Sequence, residues 1–281
     1  MVHLTAWGGC RILDADPFPV HFQEQMMSSV ARIPAKARLD NSHYEERCQL
    51  AAAFRWTAEL NMHEGVANHF SLAVSDDGSQ FLVNPCGKHF SRIKASDLIL
   101  LDAKDPTTMD QPNAPDPTAW AIHSAIHRNA PQARCVLHVH SKYALALACL
   151  KDPSMPPIDQ NTMRFYNRIS YDMGFDGMGL GDEAERLSQC LGKNKVMVMG
   201  NHGVLTAAPT VAEAFDLLYY FERAAETLIT AYSTGRELNI ASAEVAEKTA
   251  RQWEDYPSDQ ENMHLSEIRA ILDQKQPDYA E

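Results

Sequence analysis

The chain has 281 residues, with 25 Lys+Arg against 37 Asp+Glu and a net charge of −12 at pH 7. That acidic balance, with no Lys/Arg cluster, speaks against a nucleic-acid binder and against a polybasic membrane patch. The longest apolar run, residues 143–150, falls far short of the ~20 residues that a bilayer-spanning helix needs. The start, MVHLTAWGGC, shows no basic stretch leading into an apolar one, so a cytoplasmic location is expected. Six Cys with no CxxC spacing read as reduced thiols, at least four of them in the core and Cys86 the exception.

Residues 1–40 lack periodicity and are interrupted by Pro17, Pro19 and Pro34, which predicts an arm packed on the body or on a neighbouring subunit. A capping box of Ser42 and Glu45 opens a predicted helix in which Cys48, Leu50, Ala51, Ala52, Phe54 and Ala58 recur at helical spacing, ending near Asn61. Residues 70–74 and 80–83 read as a hairpin around Asp77-Gly78. Asn84-Pro85-Cys86-Gly87 then breaks the second strand. A short strand over 98–102, a polar loop over 103–118 and a helix over 119–129, capped by Pro117-Thr118, follow.

Residues 134–140 are predicted as a strand, 142–150 as a helix and 195–199 as a buried strand ended by Gly200-Asn201-His202-Gly203. Thr210 with Glu213 opens a long amphipathic helix to about Tyr232. The organisation expected is an arm over 1–40, a body over 41–234 and a polar, helical tail over 235–281.

The chemistry concentrates in His138-Val139-His140. Residues two apart on a strand share a face, so both imidazoles can converge on one ion. Imidazole nitrogen suits Zn, Fe, Mn, Ni or Co, and a catalytic metal site typically keeps three protein ligands and an open position. Twelve His offer several third ligands. His202, between Asn201 and Gly203 at the end of a second apolar strand, is the best placed.

The chain from about Glu45 to Glu226 resembles the class II aldolase/adducin N-terminal-domain family. The segments NHFSLAV (68–74), FLVNPCGKHFSRIKASDL (81–98), AIHSAIHRNAPQARCVLHVHS (121–141) and VMVMGNHGVLTAAPTVAEAF (196–215) carry the likeness, in family order. The match is closer to the adducin-like bacterial branch than to the sugar-phosphate aldolases. The resemblance implies an α/β fold of three α/β/α layers around a mostly antiparallel sheet. It implies a divalent metal on His138, His140 and His202, zinc first, with manganese or iron as alternatives. It also implies a site between the subunits of a homotetramer.

The departures narrow the chemistry. Sugar-phosphate aldolases of the family place a Glu just before the Trp of a Ser-Ser-Glu-Trp-like stretch. Here that stretch is Pro117-Thr118-Ala119-Trp120, and Ala119 can neither move a proton nor bind a metal. The phosphate-loop asparagine aligns with His69, or with Asn68 if the strand slips by one. Gly87 matches the turn glycine of the family's Thr-Pro-Thr-Gly. Substrate contacts are therefore expected at His69, Asn84, Gly87 and Lys88, with His89 and Arg92 nearby. His123, one helical turn after Ala119, is the expected replacement acid/base, with His127 next in line. Tyr166 and Arg168 are candidates for an interface or the site.

The expected function is a metal-dependent lyase that breaks a C–C bond of a small hydroxy- or oxo-carboxylate through a metal-stabilised enolate, by retro-aldol cleavage or decarboxylation. Two other readings use the same residues: a silent interaction module like the adducin head, and an Fe(II)-dependent oxygenase. The partners expected are a small-molecule substrate and further copies of this chain.

Overall fold

The computed structural model describes residues 42–281 except 179, 181, 257 and 258; the arm expected over 1–40 lies outside them. Seven strands of the described residues pair into one sheet: β1 (His69–Ala73), β2 (Gln80–Val83), β3 (Ile99–Asp102), β4 (Cys135–Val139), β5 (Ile169–Asp172), β6 (Val196–Met199) and β7 (Gly203–Ala208). Their spatial order is β3-β2-β1-β4-β7-β6-β5. β5 and β6 run parallel, and every other pairing is antiparallel. The helices are α1 (Tyr44–Glu59), α2 (Pro117–Asn129), α3 (Lys142–Ala148), α4 (Gln160–Arg164), α5 (Asp182–Leu191), α6 (Val211–Ser233), α7 (Ala243–Glu254) and α8 (Gln260–Lys275).

Strand alternation sorts the layers. On β4, Cys135, Leu137 and Val139 join the core shared with α1, α3, α6 and α8, whereas Val136 joins the core shared with α2 and α5. His138 has the parity of Val136 and so faces the α2 side. The larger core is anchored by Phe54, stacked on Phe70 and edge-on to Phe90, each pair with ring centroids 4.6 Å apart. Burying each such ring contributes about 1.5–3 kcal/mol. The result is the three-layer α/β fold with a mostly antiparallel sheet that the sequence implies.

Residues 235–281 supply α7 and α8. Leu265, Ile268 and Leu272 of α8, with Tyr279 beyond it, are buried in the same core as α1 and α6. These residues and the described body belong to one compact unit.

Several local expectations are corrected. Ser42 does not cap α1; the N-cap is His43, in the left-handed region at φ 60° and with no side-chain bond. Glu45 is drawn instead to the Arg269 guanidinium on α8 at 2.5 Å. The cap of α2 is Asp116, not Pro117-Thr118: its carboxylate accepts from the Thr118 N–H at 2.8 Å, and Pro117, which has no N–H, follows it. Of the five Cys among the described residues, only Cys48 and Cys135 are buried. Cys86 and Cys149 are exposed and Cys190 half-buried, so fewer thiols serve the core than expected. β5, β7, α4 and α5 go beyond the elements expected from the sequence. β7 is buried at every position, so it shows no polar alternation.

Candidate metal centre

The C-terminal ends of β4 and β6 meet the N-terminal ends of β1 and β7 near the middle of the sheet, and three histidines gather there. His138 lies on β4, His140 just beyond it, and His202 in the turn from β6 to β7. Asn201 takes a left-handed conformation at φ 56° to make that turn. Gly203 follows because nothing larger fits: a Cβ there would lie 2.5 Å from the Val139 carbonyl oxygen and 2.9 Å from Cδ2 of His140. The Asn-His-Gly motif is thus the sequence needed to bring His202 against His140.

The turn after His140 is pinned from below. The buried Glu222 of α6 accepts from the Ser141 hydroxyl at 2.6 Å and from the Tyr143 and Ala144 N–H groups, both at 2.9 Å. It satisfies the open N-terminal turn of α3 and lies at its positive end.

One nitrogen from each of His138, His140 and His202 lies within 4.8 Å of the others. The Nδ1–H of His138 donates to the Val204 carbonyl at 3.0 Å, which leaves its Nε2 bare. His140 Nδ1 lies 2.6 Å from the Glu64 carboxylate, which orients the ring and makes its other nitrogen more basic. Glu64 and His140 are tied together by Asn68, whose Oδ1 accepts from the Glu64 N–H at 2.7 Å and the His140 N–H at 3.4 Å. His138 Nε2 and His140 Nε2 face each other at 3.0 Å. Two lone pairs so close repel unless a proton or a cation lies between them. Burial holds His138 well below the usual imidazole range and lowers His202 to about 4, so both are neutral donors at pH 7. Three converging imidazoles, two of them backed by a carbonyl and a carboxylate, fit a divalent transition-metal ion.

His69 stands beside this cluster on β1, paired with His138 across the strands, their ring centroids 5.0 Å apart. Burial lowers it to about 3, and the Asp116 carboxylate opposes that shift. His123 does not line the cluster. It is fully buried behind His69, its Nε2 2.7 Å from His69 Nδ1 and its Nδ1 against Ser71. Both nitrogens of His123, the expected acid/base, are engaged by His69 and Ser71. Helical spacing gave the right face but not the depth.

The Lys88 ammonium is held by the Asp97 carboxylate at 2.5 Å. Asn84 is buried and its amide serves β1, accepting from the Phe70 N–H at 3.2 Å and donating to the Asn68 carbonyl at 3.3 Å. Gly87 is exposed in a turn at φ 73°. His89 bonds His63 at 2.8 Å. Arg168 is held by Glu247 and Glu254 of α7. Ala119 is buried among Phe81, Val83, Ile99 and Leu101. Glu64, Ser71 and Asp116 were missed as site residues. Glu64 sits in an aperiodic loop that carries no sequence signal. Asp116 lay inside a stretch read as loop, although its position before Pro117 is a helix-start signal.

The profile of the Class II Aldolase and Adducin N-terminal domain matches residues 48–229. The crystal structure of an aldolase II superfamily protein from Pseudomonas syringae superposes with a TM-score of 0.79, at 32% identity, over 87% of this chain and 98% of that one. A Pseudomonas aeruginosa protein that bears the provisional name of a class 2 aldolase is 32% identical over 215 residues, 75% of this chain and 82% of that one. Decarboxylase NovR of Streptomyces niveus is 28% identical over 204 residues, 72% of this chain and 75% of that one.

Proposed function

The chain belongs to the class II aldolase and adducin N-terminal domain family, and from that premise we propose that it is a metal-dependent lyase acting on a C–C bond of a small, unphosphorylated carboxylic acid. The observation that carries this reading is the convergence of His138, His140 and His202, with donor nitrogens within 4.8 Å of one another. A divalent cation bound there supplies a Lewis acid for a substrate oxygen, the common requirement of retro-aldol cleavage and decarboxylation. The protein aims His138 through the Val204 carbonyl and His140 through the Glu64 carboxylate, and burial favours the neutral form of His138 and His202.

The start of α2 supports an unphosphorylated substrate. Pro117 offers no N–H, and the Thr118 N–H and hydroxyl both donate to the Asp116 carboxylate, at 2.8 and 2.5 Å. A helix start that gives both Thr118 donors to its own carboxylate has fewer left for a phosphate, and that carboxylate repels one. We propose a homotetramer as the working assembly. Its support is the run of exposed apolar side chains Tyr171, Met173, Phe175, Met178 and Leu180, with the Phe175 ring 6.0 Å from that of His202.

The test is a screen of protein loaded in turn with Zn²⁺, Mn²⁺ and Fe²⁺ against hydroxy- and oxo-acids, following release of CO₂ or an aldehyde. Turnover of an acid with none of ketose 1-phosphates is the expected result. Efficient cleavage of a ketose 1-phosphate overturns the substrate class, and equal activity without metal overturns the mechanism.

A further inference from the structure

Behind His69 a buried file of side chains runs away from the cluster. His69 Nδ1 lies 2.7 Å from His123 Nε2, and His123 Nδ1 contacts the Ser71 hydroxyl. That hydroxyl lies 2.7 Å from His127 Nε2, and His127 Nδ1 lies 2.9 Å from the Ala133 carbonyl oxygen. All four side chains are buried. The outer end is fixed by the hairpin turn at Gly78, which packs so closely that a Cβ there would lie 2.5 Å from the His127 carbonyl oxygen.

Donor and acceptor counting gives the file a direction. A carbonyl only accepts, so His127 carries its proton on Nδ1. His123 and His127 face no carboxylate, and a buried imidazole in that setting is neutral. His127 Nε2 is therefore bare and takes the Ser71 proton. Ser71 has one proton to give, so its oxygen accepts from His123 Nδ1–H. His123 Nε2 is then bare and accepts from His69 Nδ1–H. A neutral His69 is left with a bare Nε2 on the side of its ring away from His123, where no described residue bonds it.

We infer, on the function proposed above, that Ser71, His123 and His127 are positioning residues that fix His69 as an acceptor-only wall of the site, which selects a substrate bearing a hydroxyl beside the metal-bound group. The substrate class narrows from hydroxy- or oxo-acids to hydroxy acids. An oxo acid presents a second lone pair to His69 Nε2, where a hydroxy acid donates a hydrogen bond. A missing partner at a desolvated acceptor is worth about tenfold or more in affinity.

Neutron diffraction from crystals exchanged into D₂O reads the tautomers directly. Deuterium is expected on Nδ1 of His69, His123 and His127 and absent from Nε2 of His69. In Ser71→Ala, His123 loses its acceptor, so the protons shift one nitrogen along and deuterium appears on His69 Nε2; Ser71→Thr restores the parent pattern. Deuterium on His69 Nε2 in the parent, or an unchanged pattern in Ser71→Ala, overturns the inference. Calorimetry with metal-loaded protein adds the substrate arm, with lactate expected to bind about tenfold or more tighter than pyruvate in the parent and the preference lost in Ser71→Ala. Equal affinities, or no binding of either acid, overturn the substrate half. Elemental analysis of the same preparations separates the two claims. Parent protein without metal but with the expected tautomers defeats the proposed function alone, and reversed tautomers in metal-bearing protein defeat this inference alone.

Discussion

His69 and His138 face each other across β1 and β4, with ring centroids 5.0 Å apart and planes tilted by 38°. That pairing joins the metal cluster to the buried file, because Ser71, two residues further on β1, shares the face of His69 and contacts both His123 and His127 of α2. A slip of one residue would turn both side chains to the other face of the sheet. In that register His69, not Asn68, stands opposite His138.

The Glu64 carboxylate acts on His140 from outside the cluster and is largely exposed, so its removal should affect metal affinity rather than folding. Glu64→Gln is expected to weaken metal binding about 10- to 100-fold, with little change in melting temperature. Competition against a chelator measures the first and a thermal melt the second. Unaltered affinity would reduce the Glu64–His140 contact to a surface ion pair.

Gly203→Ala tests the tight approach of β7 to the end of β4. The added Cβ meets backbone at Val139 and the ring of His140, so the strands must part. A loss of about 1–3 kcal/mol in stability is expected, together with weakened metal binding. Urea melts and metal titration of the variant check both, and wild-type behaviour in both would contradict the packing argument.

Glu222→Ala strips three donors of their acceptor: the Ser141 hydroxyl and the Tyr143 and Ala144 N–H groups. About 2–4 kcal/mol of stability should be lost, since buried unpaired donors are expensive and α3 loses a favourable charge at its start. The denaturation midpoint reads the loss. Glu222→Gln, which keeps the acceptor oxygen, should lose less.

The metal-free protein should lose stability on mild acidification. Burial lowers His127 from 6.5 in the unfolded chain to about 4 in the fold, and lowers His123 well below its ordinary value. Between those limits the unfolded chain binds more protons than the folded one, so stability falls as pH falls. The urea midpoint should be flat above about pH 6.5 and decline toward pH 4. His127→Phe should flatten part of the decline, and a midpoint that rises on acidification would contradict the burial argument.

Much of the site was legible because the chemistry lies in short motifs. His138 and His140 share a face by strand period alone, and Asn201-His202-Gly203 marks a sharp turn. The layered fold and its mostly antiparallel sheet follow from the family likeness of four segments. Depth was not legible: the spacing of Ala119, His123 and His127 puts them on one helix face, but only the fold shows that Ser71 and His69 stand between that helix and the cluster. Glu64 was invisible because loop residues acquire partners through tertiary structure, not periodicity. The burial of α8 was hidden by its sparse apolar positions, Leu265, Ile268 and Leu272, in an otherwise polar stretch.

The most direct test of the metal-dependent reading is elemental analysis of the purified protein alongside His138→Ala, His140→Ala and His202→Ala. Close to one divalent transition-metal ion per chain is expected in the parent, with a large fall in every variant that still folds by circular dichroism, since three ligands leave none to spare. A parent that neither carries nor takes up such an ion, or variants that bind it undiminished, would contradict the assignment of these three histidines to a metal.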